Sequence, residues 1–508
     1  MTSAADLDVR TTAGAVRGRE EGGLGVFRGV PFAEPPVGEA RFQAPRPARS
    51  WDGVREAYAF GPPPPQESGF QGRATAVDQP TGDDWLTVNV WTPAPDPAAR
   101  RPVMVWIYGG AYKLGHAGSP GYDAQHLARA GDVVVVTLNY RVGIEGFVLL
   151  EGAPANRGLL DQVAALEWVR DNITAFGGDP EQVTVFGESA GAGSVASLLA
   201  MPSARGLFGR AVAQSVPVTY FSAELARDIA LELGKEAGLA TTAERLASVD
   251  PRELPAVGER LSLRMREYDD RWGRVAHTAT PFSPVVDGEV LPCTPWESLA
   301  AGAGREVELL VGHNRDEYRL FLALADRLGK VTEEQAAAAL RTFAPGPDGE
   351  RSYRAAFPDA APAELHERVQ TDWLFSVPSQ RLAEAQVAGG GRAHLCELTW
   401  SAPVFGGALG ACHGLDIPLL FGTYEADLGA LLFMGAGVPP EARDLTARFQ
   451  SAWTGFARTG DPGWPAYEVA SGRLTQVLDV EPEVRPYPEE ASRRLWEAYD
   501  IRALPLLK

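Results

Sequence analysis

Short apolar runs that end abruptly in turn residues constrain the fold of this 508-residue chain more than any other feature. The runs cover residues 103–108, 133–138, 183–186 and 308–311. Runs of this length without polar alternation are typical of strands buried on both faces. Between two of them, residues 159–176 repeat apolar side chains with a period of about 3.6, which predicts a helix. This alternation predicts an α/β fold with a mostly parallel central sheet flanked by helices.

Two long stretches have mostly helical patterns and contain no strand-like run. They cover about residues 221–274 and about 320–381. No internal repeat divides the chain, and the Pro-rich segment 61–65 is typical of a stiff surface loop. We therefore predict a single domain over residues 1–508, in which the two helical stretches are insertions above the sheet that would form a cap over a pocket.

The charge balance and the cysteine content exclude several classes of function. The net charge is −19, which disfavours binding to nucleic acids and to anionic membranes. The three cysteines are scattered and form no CxxC pair, so neither a disulfide framework nor a zinc ribbon is expected. We find no signal-like N-terminus and no run of 18 apolar residues. We expect a cytoplasmic protein, present as a monomer or homodimer.

The strongest local motif is the pentapeptide 187–191, Gly-Glu-Ser-Ala-Gly. It follows the strand-like run 183–186, and a run of small residues typical of a helix comes after it. A sharp turn between strand and helix exposes the serine hydroxyl, and the two glycines leave room where a Cβ would collide with neighbouring chain. The context predicts that Ser189 is a nucleophile.

A serine nucleophile needs a histidine as base and a carboxylate that orients the histidine. In chain order the acid should follow Ser189 and the base should follow the acid. His413 lies in a glycine-flanked loop and is favoured over His394, whereas His366 stands in a charged helix and is expected to be solvated. The acid should follow the strand-like run 308–311, where both Asp316 and Glu317 are candidates.

A serine that attacks a carbonyl carbon also requires backbone N–H donors that bind the oxyanion of the tetrahedral intermediate. Ala190, directly after the nucleophile, supplies the first of these donors. The glycine turn 108–112 follows a predicted strand and can supply the others, because small residues let a substrate oxygen approach the chain.

Several long blocks together resemble the type-B carboxylesterases, a family of α/β-hydrolases. They appear in the family's order and extend over nearly the whole chain. The blocks are residues 27–42, 84–91, 156–162, 172–180, 183–191 and 282–292.

The resemblance implies a role for each member of the predicted site. It implies a serine carboxylesterase that needs no cofactor or metal, acts on a small-molecule ester and forms an acyl-enzyme intermediate. The polar residues Ser215 and Asp416 match positions that support the histidine. The implied catalytic triad is Ser189, Glu317 and His413, and the implied oxyanion hole is Gly110, Ala111 and Ala190.

The substrate pocket and the exact substrate are less defined by the sequence. Four aromatic residues are candidates for the pocket wall: Phe321, Trp373, Phe375 and Phe405. Tyr318 stands where the family has a glycine after the acid, and this departure is expected to narrow the pocket or shift the acid loop. The same machinery would serve carbamates or amides, and some members of the family without a triad are binding modules.

Overall fold

The computed structural model describes residues 6–66, 81–435 and 437–507. Most strands belong to one large twisted sheet, and two short strands pair separately. In chain order the strands are β1 (Asp6–Arg10), β2 (Ala15–Glu21), β3 (Leu24–Pro31), β4 (Val54–Glu56), β5 (Thr87–Thr92), β6 (Arg101–Ile107), β7 (Val134–Leu138), β8 (Gly178–Glu188), β9 (Arg210–Gln214), β10 (Phe221–Ser222), β11 (Val285–Val286), β12 (Glu308–Asn314), β13 (Ala393–Leu398), β14 (Thr475–Leu478) and β15 (Glu483–Arg485).

The centre of the sheet is parallel and its two edges are antiparallel. The order across the sheet is β1-β2-β3-β5-β7-β6-β8-β9-β12-β13-β14-β15, with β4 paired to β2. Strands from β7 to β14 in this order run parallel. Strands β1, β2, β3, β5 and β15 pair antiparallel along this order, and β4 pairs parallel with β2. The predicted strands at 103–108, 133–138, 183–186 and 308–311 are confirmed as β6, β7, β8 and β12.

Helices connect the strands and cover the sheet. The predicted helix 159–176 is confirmed as α3 and a following 3₁₀ turn, and Gly177 ends it with a left-handed backbone. In chain order the helices are α1 (Gln125–Gly131), α2 (Gly143–Phe147), α3 (Arg157–Asn172), α4 (Ala190–Ala200), α5 (Ala223–Ala237), α6 (Ala243–Ala247), α7 (Leu254–Arg264), α8 (Asp269–Trp272), α9 (Pro295–Ala300), α10 (Arg319–Leu324), α11 (Glu333–Phe343), α12 (Gly349–Ala356), α13 (Pro362–Thr371), α14 (Val377–Ala388), α15 (Asp416–Phe421), α16 (Asp427–Leu432), α17 (Pro440–Thr459) and α18 (Glu490–Leu495).

The core lies between the central strands and two groups of helices. Helices α3, α4, α9 and α14 contact one another in one group, and α1, α15 and α17 form the other. Strand β8 contacts α3 and α4 from the first group and α17 from the second. Burial of the central strands on both faces explains why their sequences are apolar without alternation.

A buried ion pair fastens the loop after β7 to α3. The Arg141 guanidinium donates to both carboxylate oxygens of Asp161 at 2.7 and 2.8 Å, and the Arg141 backbone N–H donates to the same carboxylate at 2.9 Å. Both side chains are fully buried. Because each charge is paired and hydrogen-bonded, the interior tolerates them only together.

The two helical stretches contain the helices α5 to α8 and α10 to α14. The first stretch begins with the two-residue strand β10, which pairs parallel with β11. In the second, a π-helical turn at Asp372–Ser376 joins α13 to α14. In the described part of the chain, no helix combines the length and the apolar character required to cross a bilayer.

Candidate active site

Ser189 lies on a tight turn at the point where β8 ends and α4 begins. Its backbone has φ +57° and ψ −124°, a conformation that residues other than glycine rarely adopt. A Cβ on Gly191 would overlap the Ile107 carbonyl oxygen, and one on Gly187 would lie 2.7 Å from the same atom. The expected need for glycine on both sides of the serine is therefore confirmed, since β6 passes directly beside the turn.

The structure brings Ser189, His413 and Glu317 together. The His413 Nε2 atom lies 2.9 Å from Ser189 Oγ, and the Nδ1 atom lies 2.6 Å from Glu317 Oε2. A carboxylate oxygen can only accept, so Nδ1 carries the proton, and in the neutral imidazole Nε2 is left to accept from the serine hydroxyl. These three residues lie at the carboxyl ends of β8 and β12 and in the loop after β13.

The other candidate histidines lie elsewhere. His394 is buried in β13, where its ring meets the edge of Phe456. His366 was expected to be solvated, but it is 6% exposed on α13, beside Gln370. The expectation for His366 is wrong because α13 turns that face towards the protein, although most of its neighbours in the sequence are charged.

Glu317, and not Asp316, is the acid that reaches the histidine. Its carboxylate is fully buried, and Oε1 accepts from Ser215 Oγ at 2.6 Å and from the Asn314 backbone N–H at 2.8 Å. These donors hold one carboxylate oxygen while the other faces His413. Asp316 points to other partners and contacts Ala411.

The two polar residues predicted to support the histidine act at other atoms. Ser215 donates to Glu317 and therefore orients the acid. Asp416 accepts from Gln214 and, at 3.3 Å, from Asn314. Among the described residues, neither side chain forms a hydrogen bond to His413; Ser215 reaches the histidine through Glu317, and the supporting role of the two residues stays a prediction.

The three predicted oxyanion donors face the same cavity as Ser189. Gly110 and Ala111 follow β6 with left-handed backbones at φ +104° and +57°, and Ala190 is the first residue of α4. Among the described residues, none accepts a hydrogen bond from the N–H groups of these three. Unpaired N–H groups beside a helix N-terminus favour negative charge at this point.

Glu188 is a buried carboxyl group that the sequence analysis did not single out. Its Oε1 atom lies 3.2 Å from His413 Nε2. Burial raises the pKa of Glu188 to about 8, although His413 opposes the rise. Burial alone would lower the pKa of His413, but the carboxylates of Glu188 and Glu317 outweigh it and raise that pKa to about 9. Its position next to Ser189 at the end of a buried strand was the available signal.

A cavity of about 470 Å³ opens over Ser189, and its wall is mostly apolar. Phe321 and Phe375 line it as predicted, and the Phe375 ring stacks on the His413 imidazole with centroids 4.3 Å apart. The sequence analysis missed the part of the wall that comes from residues 417–431, after His413. Among the described lining residues there is no Lys or Arg. Apart from residues 188–190, the lining comes from segments 109–114, 121–122, 217–219, 278–280, 320–324, 374–375, 413–414 and 417–431.

The predictions for Trp373 and Phe405 are wrong. Trp373 is buried, and its ring packs on Phe343 with centroids 4.8 Å apart. It lies in the same π-helical turn as Phe375, but successive helical residues point in different directions. Phe405 is 59% exposed in a surface turn with φ +53°. The range 221–274 contributes no described lining residue; segment 278–280, just after it, does.

Comparisons with known proteins agree with this geometry. The family described as "Carboxylesterase family" matches residues 5–496. The para-nitrobenzyl esterase of Bacillus subtilis (strain 168) is 37% identical over 96% of this chain and 97% of its own length. The phenmedipham hydrolase of Pseudarthrobacter oxydans is 35% identical over 93% and 95%.

Solved structures give the same result for the fold. A PNB esterase structure superposes with a TM-score of 0.83 at 36% identity, covering 97% of this chain and 99% of the other. A carboxylesterase structure from Geobacillus stearothermophilus superposes with a TM-score of 0.82 at 36% identity, covering 96% and 99%. The fold is that of the α/β-hydrolases. The chain belongs to the carboxylesterase family and is a carboxylic-ester hydrolase.

Proposed function

We propose that Ser189, His413 and Glu317 carry out ester hydrolysis in two acyl-transfer steps. The observation that carries this proposal is the unbroken series of contacts from Ser189 Oγ through both nitrogens of His413 to Glu317, within a single cavity. A hydroxyl is a weak nucleophile until a base accepts its proton, and this arrangement supplies the base and fixes its tautomer.

In the first step, Ser189 Oγ attacks the ester carbonyl carbon while His413 Nε2 takes the hydroxyl proton. The tetrahedral intermediate then loses the alkoxy oxygen, which receives the same proton and leaves as the alcohol. In the second step, His413 takes a proton from water as the water oxygen attacks the acyl-enzyme carbonyl carbon. The bond to Ser189 Oγ then breaks, His413 returns the proton to this oxygen, and the acid is released. Glu317 keeps the ring oriented and stabilises the imidazolium in both steps.

The negative charge that develops on the carbonyl oxygen is stabilised by the N–H groups of Gly110, Ala111 and Ala190. These donors are fixed by the backbone before substrate binds, so the protein needs no rearrangement at the moment of reaction. Removal of one donor of this kind typically lowers kcat by about 10²–10³-fold.

The lining of the cavity favours uncharged, largely apolar esters of small to medium size. Asp427 faces the cavity, and the described lining residues include no Lys or Arg, so an ester that carries a carboxylate would find no permanently positive side chain to pair with. The relatives are named for a para-nitrobenzyl ester and for phenmedipham. We therefore propose aryl and benzyl esters as the first substrates to test.

The test removes the nucleophile. Ser189→Ala should abolish hydrolysis of short-chain p-nitrophenyl esters and covalent labelling by a fluorophosphonate, with circular dichroism and Tm close to those of the wild type. The matched control is Ser203→Ala, because Ser203 is exposed just beyond α4 and should be neutral. Labelling or full turnover in Ser189→Ala would refute the proposed nucleophile.

A second measurement separates ester hydrolysis from related reactions. The matched substrates would be an aryl ester, the anilide of the same acyl group, and an aryl carbamate in which a nitrogen replaces the acyl carbon next to the carbonyl. We expect the ester to give the highest kcat/KM. A higher kcat/KM for the carbamate or the anilide would overturn the proposed preference while leaving the roles of the three residues intact.

A further inference from the structure

The acid and the histidine sit in two loops that run side by side. The acid loop (residues 314–317) begins at the last residue of β12, and the histidine loop (residues 410–413) lies after β13. The His413 backbone N–H donates to the Glu317 carbonyl oxygen at 3.2 Å, and the Asn314 side-chain amide donates to the Cys412 carbonyl oxygen at 2.8 Å. The two loops are therefore joined by more than the contact between the imidazole and the carboxylate.

Asp316 adds two further hydrogen bonds between the loops. Its backbone N–H donates to the Ala411 carbonyl oxygen at 2.9 Å, and its Oδ2 atom accepts from the Ala411 backbone N–H at 2.9 Å. One residue thus satisfies both backbone groups of another residue, two positions before His413. The Asp316 carboxylate also accepts from Arg315 at 3.1 Å and forms an ion pair with Arg319, with the nearest atoms 2.8 Å apart.

The histidine loop is shaped to receive this carboxylate. Gly410 has a left-handed backbone at φ +60°, and a Cβ at this position would overlap Asp316 Oδ2. The side chain of Asp316 is only 6% exposed, so water cannot easily replace it as the acceptor for Ala411. It lines no part of the cavity over Ser189.

We propose that Asp316 is a positioning residue that fixes the histidine loop against the acid loop and thereby sets the distance between His413 and Ser189. The proposal rests on the function proposed above. Glu317 orients the imidazole ring, and Asp316 orients the backbone that carries it. A displacement of about 1 Å in a catalytic group can cost about 10²-fold in rate, so the loop must be held tightly.

The alternative is that Asp316 is only one half of a stabilising ion pair. Two variants separate these roles. Asp316→Asn keeps a side-chain oxygen that can accept from Ala411 and removes the charge, whereas Asp316→Ala removes both. Arg315→Gln removes one ion-pair partner of Asp316 and leaves the bridge to Ala411 in place; the Arg315 side chain is 40% exposed.

We expect Asp316→Ala to lower kcat for p-nitrophenyl acetate by about 10–100-fold with little change in KM. Asp316→Asn should lose less than Asp316→Ala, and Arg315→Gln should stay within about twofold of the wild type. The rate of fluorophosphonate labelling should fall in the same order, while the label remains on Ser189. A loss in Arg315→Gln as large as that in Asp316→Ala would overturn the proposal, as would wild-type kcat in Asp316→Ala.

A double-mutant cycle with Glu317→Gln tests whether Asp316 acts through the acid and histidine pair. Once Glu317→Gln has weakened that pair, the further loss from Asp316→Ala should be much smaller than in the wild-type background. Independent, fully additive losses would overturn the proposal. If Asp316→Ala does not fold, the same cycle is run with Asp316→Asn. Absence of labelling in the wild type would instead count against the proposed function itself.

Discussion

Glu188→Gln is the most informative change at the site, because it removes a charge without removing volume. The carboxyl oxygen of Glu188 lies 3.2 Å from His413 Nε2, the atom that accepts the serine proton. The carboxylate stabilises the imidazolium and contributes to the raised pKa of His413. Glutamine keeps the shape of the side chain but cannot supply that charge.

The size of the effect follows from the distance. Two unit charges 3.2 Å apart interact with about 5 kcal/mol at an effective dielectric constant of about 20. At about 1.4 kcal/mol per pH unit, this sets an upper bound of roughly 3–4 units on the shift in the pKa of His413. Because burial raises the pKa of Glu188 to about 8, the group is ionised over only part of the pH range. We therefore expect a downward shift of about 1–2 units.

The sign of the change is what the assay tests. His413 must be neutral to accept the proton, so a lower pKa moves the acidic limb of kcat/KM to lower pH. The plateau value of kcat should fall, by roughly tenfold, because the imidazolium formed in the transition state loses a stabilising charge. The profile would be measured with p-nitrophenyl acetate from about pH 5 to about pH 10.

The matched control is Glu181→Gln, which removes an exposed carboxylate from the same strand, β8. Its pH profile should overlay that of the wild type. An acidic limb in Glu188→Gln that stays in place, or that moves to higher pH, would show that the carboxyl group does not act on His413 as the geometry implies.

Three further predictions concern packing and buried charge. Phe375→Leu removes the ring stacked on His413, which should slow acylation by roughly 2–10-fold, corresponding to about 0.5–1.5 kcal/mol, in pre-steady-state kinetics; unchanged acylation would argue against a role for the stack. Asp161→Asn leaves Arg141 buried without a counter-charge and should lower the free energy of unfolding by about 3–5 kcal/mol in urea titrations; a loss under about 1 kcal/mol would contradict this. Glu397 is fully buried, neither of its carboxyl oxygens has a hydrogen-bond partner among the described residues, and burial raises its pKa well above the usual value. The native state keeps this proton, whereas the unfolded state releases it above about pH 4.3, so the stability of the native state falls as pH rises. The gain in Tm from Glu397→Gln should therefore grow between about pH 5 and about pH 8. A gain in Tm that is constant or shrinks over this range would refute the reasoning.

The elements of the fold that could be predicted from the sequence are those whose burial leaves a pattern in their own residues. Strands β6 and β7 are buried on both faces, so their continuous apolar runs could be recognised. Strand β1 has mostly exposed side chains and β4 has only exposed ones, and neither carries such a signal. Their place at the edge of the sheet depends on pairing with β2, which is a tertiary contact and is not encoded in their own residues.

The position of the nucleophile, Ser189, could be predicted for the same reason, because the strand, the glycine-flanked turn and the helix are consecutive in the chain. The identity of the acid could not be predicted from the pattern, since Asp316 and Glu317 are neighbours after the same strand and differ only in where the loop directs their side chains. The resemblance to a family favoured Glu317, and the contact with His413 agrees with it. The physical reason lies in the neighbouring loop. The Asp316 carboxylate accepts a hydrogen bond from the Ala411 backbone N–H, whereas the Glu317 carboxylate is directed towards the His413 ring.

The cavity wall shows where residue type stops being informative. Trp373 and Phe375 are both large aromatic residues in one helical turn, and only the second faces Ser189, because burial against Phe343 satisfies the first equally well. Apolar character predicts that a side chain leaves water, but it does not predict which apolar surface receives it. Glu188 is the opposite case: a carboxyl group is expected in water, yet the strand that delivers Ser189 to the turn necessarily brings the preceding side chain into the same buried space. Its proximity to His413 therefore follows from the geometry of the turn.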